Sequence, residues 1–222
     1  MFDLELLVKE YRERPPSRYA TVRFCATSPN IAVAIERAVL ARDSCGNKHP
    51  HQWRISNNVL NRTAVMLKRL QRKFGELGRR GNFQLLYDLI LENRPKGFGE
   101  LAAYDTALRL GEFLGTRPSR IYLHAGARVG ALALAEKGLL NDGLKLTHKV
   151  NFLEMNAFPK AIRSLEPFEI EDFLCVYKDL KSLSKLCHAF PSGDSKGCSN
   201  NTPPRARAEP TLPTRYLSSR CL

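Results

Sequence analysis

The sequence predicts an all-α fold, and three observations favour it. Apolar residues recur every three or four positions through most of the chain, which is the spacing of amphipathic helices. Capping residues and glycine breaks separate these segments. Only residues 19–25, YATVRFC, show the alternation typical of a strand, and the sequence offers them no evident partner strand. We therefore expect residues 19–25 to form a helical or extended connector.

The predicted elements follow one another along a single helical domain from Met1 to about residue 190. In chain order, the predicted helices cover residues 2–13, 29–45, 56–77, 83–93, 100–114, 124–137, 159–165 and a last segment that begins at Pro167. From residue 191 to residue 222 the composition changes to Pro, Ser, Asn, Gly and Arg. Because such a segment lacks the apolar residues that would offset ordering, we predict a disordered basic tail at 191–222.

The net charge is strongly positive and clustered. The chain has 35 Lys and Arg against 22 Asp and Glu, a formal net charge of +13 over 222 residues. The largest cluster follows the polar face of the predicted 56–77 helix and the turn after it, and comprises Arg62, Lys68, Arg69, Arg72, Lys73, Arg79 and Arg80. A one-sided basic face favours a polyanionic partner, most commonly nucleic acid. A merely solvated face is the alternative.

The sequence gives no indication of export or membrane insertion. The amino terminus mixes acidic and basic residues with its apolar ones, unlike a signal peptide. No apolar run reaches the roughly 18 residues that a membrane span needs. The six cysteines are scattered, without a Cys-x-x-Cys pair. We therefore expect a cytoplasmic location and no membrane partner.

Residues 96–103, KGFGELAA, form the centre of the pattern because one predicted helix runs into them and another runs out. Gly97-Phe98-Gly99 predicts a tight turn between the two helices. This segment resembles the helix-hairpin-helix DNA-binding motif, in which Gly-hydrophobic-Gly is followed by small residues, here Ala102-Ala103. Lys96 stands where the motif usually has proline. The resemblance implies that backbone amides of the turn hold a DNA phosphate without base readout; a turn that only packs helices is the alternative.

The resemblance extends over residues 83–137 to the helical DNA-glycosylase superfamily that is built on this hairpin. A break at 115–118, an apolar piece at 121–123 and Arg128-Val129 follow with similar spacing. The usual catalytic groups are missing, since Leu101 stands at the position of the lyase lysine and Leu123-His124 at that of the aspartate. The resemblance therefore implies the scaffold without its chemistry.

Three further features are candidates for function. His124 is a candidate catalytic group, with Asp88 and Asp105 as the nearest acids, although a structural histidine is the more ordinary interpretation. Residues 126–130 form a second glycine segment that, with Arg128, would extend a DNA footprint. Cys45, His49 and His51 are zinc-type ligands, but they form only one cluster, so we expect no metal there. A polar loop that contacts phosphate or packs Trp53 is the alternative for residues 47–55.

Together these observations predict sequence-independent DNA binding, without a cofactor and without catalysis. RNA is a further candidate ligand. Two alternatives to this prediction stay open. The first is a glycosylase-like base-excision enzyme with altered catalytic residues. The second is a helical module that binds a protein partner.

Overall fold

The computed structural model describes residues 3–13, 18–141, 146–147 and 150–178, and in them the chain is all-α as predicted. The predicted tail at 191–222 lies outside the described residues. The helices are α1 (Leu4–Glu13), α2 (Arg18–Ala26), α3 (Ile31–Leu40), α4 (Asn57–Lys68), α5 (Gln71–Arg80), α6 (Phe83–Glu92), α7 (Glu100–Leu114), α8 (Ala125–Glu136) and α9 (Pro167–Val176). Two short strands, β1 (Ile121–Tyr122) and β2 (Phe152–Leu153), pair antiparallel.

Several predicted elements are confirmed closely. Helix α7 has the predicted bounds, and α6 and α8 agree with the predictions to within one residue at each end. Helix α9 begins at Pro167 as predicted. Residues 19–25 lie in α2 and are helical. The predicted 29–45 helix is shorter, because Asn30 caps its first turn by accepting from the Val33 amide and Ala41 ends it in a left-handed conformation.

The prediction of one long helix over residues 56–77 is wrong, since the chain forms α4 and α5 with a break between them. At the break, the amides of Arg69 and Leu70 bond carbonyls three residues back rather than four. Leu70 then adopts φ −97° and ψ 9°, outside the helical range. Because the break is short, Leu67 and Phe74 on either side still face the same core.

The helices surround two hydrophobic cores. The first core is built by α2 to α7, and the second by α1, α8, α9 and the segment around β2. Strand β1 lies where they meet, because Ile121 belongs to the second core and its neighbour Tyr122 to the first. None of the helices in the described part of the chain is both long and apolar enough to cross a membrane.

A buried guanidinium joins α7 to three other elements. Arg109, only 1% exposed, donates from Nε to Thr21 Oγ1 at 2.9 Å and from Nη1 to the Ala38 carbonyl at 3.3 Å. Its Nη2 donates to Gln52 Oε1 at 3.3 Å and lies 3.9 Å from Asp105 Oδ2. Helix α7 is therefore central to the fold, and its buried Arg109 and Asp105 are stabilised by hydrogen bonds and by their opposite charges.

Candidate nucleic-acid interface

The glycine turn between α6 and α7 is a solvent-exposed hairpin anchored by one aromatic side chain. Phe98 is 2% exposed and belongs to the first core, and its amide donates to the Pro95 carbonyl at 3.1 Å. Lys96, Gly97 and Gly99 are exposed. Of the predicted contact residues here, Phe98 therefore positions the turn, while Lys96 and the glycine backbone face solvent.

The two glycines of the hairpin differ in what surrounds them. Gly97 has φ +93°, a conformation that favours glycine, and a Cβ added there would lie 3.3 Å from Val59 Cγ2. Gly99 has φ −71°, and a Cβ added there would meet no described atom within 4 Å. Gly99 is also the N-cap of α7, and no side chain in the described part of the chain caps this helix end. The first amides of α7 therefore remain available at the positive end of the helix dipole.

An acidic residue, Glu100, lies in the first turn of α7 and would repel a phosphate. Its carboxylate accepts from the Tyr87 hydroxyl at 3.4 Å and lines a cavity beside the hairpin. Burial, reinforced by the Glu100 charge, raises the pKa of Tyr87 well above its usual range, so the hydroxyl stays a donor at neutral pH. Tyr87 and the Glu100 carboxylate that it bonds therefore both line the cavity beside the hairpin.

The predicted basic cluster is mostly exposed. The exposed members are Arg62, Arg69, Arg72, Lys73, Arg79 and Arg80, and none of them forms a salt bridge with a described residue. Lys68 differs because it pairs with Glu36. Arg62 lies one helical turn after Val59, which contacts the hairpin. On α5, Lys73 and Arg80 line a groove with α6 that reaches from Leu85 to Glu92.

The second glycine segment packs against a helix rather than facing solvent. A Cβ added at Gly130 would lie 2.1 Å from the Leu174 carbonyl oxygen, and one at Gly126 would lie 2.4 Å from Cys175 Sγ. Both neighbours belong to α9. Arg128, between the glycines, donates to the Val150 carbonyl at 2.5 Å and to Asn151 Oδ1 at 3.3 Å. Arg128 is thus turned toward the chain before β2.

An open cavity of about 620 Å³ lies between the two cores, next to the hairpin. Leu101 and Leu123-His124, the positions where the resembled enzymes keep catalytic groups, all line it. The cavity also receives Arg120 and Asp88. The fold therefore places Leu101 and Leu123-His124 around one cavity, and Asp88 of α6 adds a carboxylate to its wall.

Asp88 is oriented by a chain of hydrogen bonds from β1. The Tyr122 hydroxyl donates to Gln84 Oε1 at 2.5 Å, and Gln84 Nε2 donates to Asp88 Oδ1 at 2.7 Å. Burial raises the pKa of Tyr122 to about 12, so its hydroxyl is protonated at neutral pH and keeps this direction of donation. Asp88 is thereby held as an acceptor in the cavity wall.

His124 occupies the N-cap position of α8, where its ring is half-buried among aromatic side chains. Its ring centroid lies 4.5 Å from that of Tyr104, and the ring is parallel to Tyr122 at 6.4 Å. Of the two acids that the sequence suggested beside His124, Asp88 lines the same cavity. Asp105 instead belongs to the buried network of Arg109.

The loop before α4 brings two of the three suggested zinc ligands together, with a different third residue. Ligand atoms of His49, His51 and Asp105 all lie within 4.8 Å of one another, and Cys45 is outside this group. Asp105 Oδ2 is already 2.8 Å from His51 Nδ1 and 3.9 Å from the Arg109 guanidinium. The neighbouring positive charge opposes a bound cation, and the arrangement serves as an ion-pair network that fixes the loop to α7.

Sequence reasoning named Asp88 as an acid near His124, but it missed Gln84 and Tyr87, which line the same cavity from α6. Gln84, Tyr87 and Asp88 are spaced i, i+3 and i+4, so they share one face of a helix whose other face is apolar. This polar stripe on α6 was the sequence signal that could have revealed them.

Comparisons with protein-family models, with curated proteins and with solved structures found no match.

Proposed function

We propose that this protein binds DNA without sequence preference and without catalysis, through the hairpin at residues 96–99 and the exposed cations of α4 and α5. The observation that carries the proposal is the exposed glycine turn at the uncapped start of α7. Free amides at a helix N-terminus bind phosphate oxygens through both hydrogen bonds and the helix dipole. The hairpin geometry supports the helix-hairpin-helix resemblance, which also remains a proposal.

The cations extend this contact away from the hairpin. Lys96 belongs to the turn and Arg62 lies on α4 near Val59, while Arg72 and Lys73 lie at the start of α5. Lys73 lines one groove with Glu92, the last residue of α6 before the hairpin. A duplex that contacts the turn is therefore expected to contact the α5 cations as well.

A double substitution on α5, Arg72→Gln with Lys73→Gln, tests the electrostatic part. Both side chains are exposed and neither pairs with a described acid, so their loss should leave folding intact. Duplex affinity, measured by fluorescence anisotropy at several salt concentrations, should fall. The slope of log affinity against log salt should decrease by about one for each lost phosphate contact.

Lys9→Gln with Lys160→Gln is the matched control. These two exposed lysines carry the same charge but lie on the second core's side of the molecule, on α1 and before α9. The control variant should keep most of the wild-type affinity and salt slope. Equal losses in the two variants would indicate a general effect of net charge, and wild-type binding that is insensitive to salt would contradict the proposal.

The cavity supports a second candidate function, a base-excision enzyme with altered catalytic residues. The observation that favours it is the oriented carboxylate of Asp88 opposite Leu101 and His124. A carboxylate in such a place stabilises positive charge that develops on a sugar. No lysine is among the described residues that line the cavity, so a Schiff-base intermediate is not expected.

A base-release assay on damaged duplexes distinguishes the two candidates. If the enzyme candidate is correct, release should be detectable and should be lost in Asp88→Asn, which keeps the side-chain shape but removes the charge. A borohydride trap should stay negative in either case. Duplex binding without base release would support the binding function alone.

A further inference from the structure

The only tryptophan of the sequence, Trp53, is exposed in a loop where a buried side chain was one of the expectations. It is 59% exposed, the most exposed large apolar side chain among the described residues. The neighbouring His49 and Gln52, which the sequence suggested as anion contacts, are instead buried at 5% and 0% exposure. The loop therefore turns His49 and Gln52 inward and its indole outward, the reverse of the usual arrangement for these residue types.

Hydrogen bonds fix this loop, so the exposure of Trp53 is built into the fold. The indole Nε1 donates to the Lys48 carbonyl at 2.8 Å, and Lys48 Nζ donates to the Ile55 carbonyl at 2.8 Å. His51 Nδ1 lies 2.8 Å from Asp105 Oδ2, and Gln52 Nε2 donates to the same oxygen at 3.2 Å. The ring is thus held on a backbone that is bonded to α7.

The loop and the hairpin adjoin the same two helices, α4 and α7. Trp53 precedes α4 by four residues, and Val59 in the first turn of α4 contacts the position of Gly97. On the other side, Asp105, which holds the loop, is five residues or about 8 Å along α7 from Glu100. Exposed Arg54 is adjacent to Trp53 in sequence. An aromatic plane and a cation are therefore carried by a loop that is attached to α4 and α7, the two helices that border the proposed phosphate site.

We propose that Trp53 is a base-stacking residue, and that the ligand of this surface is DNA with unpaired bases. The proposal rests on the proposed function and adds the class of DNA. A rigid exposed indole stacks on the face of any base, and the adjacent guanidinium neutralises the backbone. In a continuous duplex both faces of every base are covered by neighbouring pairs, so only a single-stranded or unpaired base offers a free face.

The sole tryptophan makes this directly measurable in the wild-type protein. Titration with a single-stranded oligonucleotide should quench Trp53 emission at the same concentrations that produce binding in an anisotropy assay. Relaxed closed-circular duplex, which has no ends, should bind with little quenching. Emission that stays unchanged at saturating single-stranded DNA would overturn the proposal without any variant.

Substitutions then give the size of the effect. Trp53→Ala should weaken single-stranded binding about tenfold, the usual order for the loss of one stacked base, and should change duplex binding less than about twofold. Trp53→Phe keeps an aromatic face and should recover most of the loss. Val65→Ala removes another exposed apolar side chain, 55% exposed on α4, and is the matched control that should have no effect.

The failure of this proposal is distinguishable from the failure of the proposed function. Equal single-stranded affinity in Trp53→Ala and wild type, together with weakened binding by the Arg72→Gln, Lys73→Gln variant, would refute stacking and leave DNA binding in place. A wild-type protein that retains no DNA of either kind at low salt would refute both.

Discussion

The two glycine segments of this chain look alike in sequence and do opposite things in the structure. Gly97 and Gly99 flank an exposed turn, and the space around Gly99 is open to 4 Å. Gly126 and Gly130 lie on α8 and let α9 approach so closely that an added Cβ at Gly130 would lie 2.1 Å from a backbone oxygen. The first pair lies on backbone that is exposed to solvent, and the second brings two helices together.

The difference lies in the neighbours, which the local sequence does not contain. The partner of the α8 glycines is α9, about 45 residues later in the chain. Among the described residues, only Val59 would lie within 4 Å of a Cβ added at a hairpin glycine. A glycine pattern thus indicates close approach, but only the tertiary structure shows whether a helix or a ligand approaches.

The largest expected effect is on Gly130→Ala, which tests the packing role. The new Cβ meets the Leu174 carbonyl oxygen, a backbone atom that moves only if α9 shifts. We expect a loss of about 3 kcal/mol in the free energy of unfolding, at the upper end of overpacking costs. Urea unfolding followed by circular dichroism measures it.

Gly75→Ala on α5 is the matched control for Gly130→Ala. A Cβ there would meet only Ile31 Cδ1, at 3.9 Å, which is an ordinary contact. Because alanine favours a helix over glycine, this variant should gain roughly 0.5–1 kcal/mol. A gain in stability of Gly130→Ala similar to that of Gly75→Ala would mean that helix propensity, and not the α8–α9 contact, governs these positions.

Gly97→Ala should have the second largest effect, and it should affect both stability and binding. A side chain at φ +93° is strained, and the Cβ would also press on Val59 at 3.3 Å. We expect a loss of about 1–2 kcal/mol in the free energy of unfolding, measured by urea unfolding, with weaker duplex binding by anisotropy. Unchanged stability would show that the turn relaxes readily to another conformation.

Much of the fold was predictable because it depends on local periodicity. Helix α7 was predicted with its observed bounds, since its apolar spacing runs between Gly99 and Gly115. The break between α4 and α5 was not, because the apolar stripe continues through Leu67, Leu70 and Phe74 without interruption. An apolar stripe indicates which side of the chain faces the core. A short break in the helix leaves that side unchanged, so the stripe does not reveal the break.

The candidate site was predictable only in part, for a different reason. The hairpin is contiguous in sequence, so its motif was visible. The cavity assembles Asp88 from α6, Leu101 from α7 and Tyr122 from β1, and no local pattern joins them. The Asp105–His51–Arg109 network likewise spans 54 residues between Asp105 and His51, so Asp105 was wrongly placed beside His124.

The smallest stability effect is expected for Gly99→Ala, which makes it the sharpest test of the hairpin. Alanine readily adopts φ −71° and ψ 171°, and its Cβ would meet no described atom within 4 Å. The loss in the free energy of unfolding should therefore be below about 1 kcal/mol, the difference between glycine and alanine at an N-cap. The same methyl group would stand where a phosphate approaches the first amides of α7. Duplex affinity should therefore fall severalfold in a protein that is still folded, whereas Gly75→Ala should bind like wild type. Unchanged affinity in Gly99→Ala would assign DNA binding to the cations alone, and the hairpin would then share the purely structural role of Gly126 and Gly130.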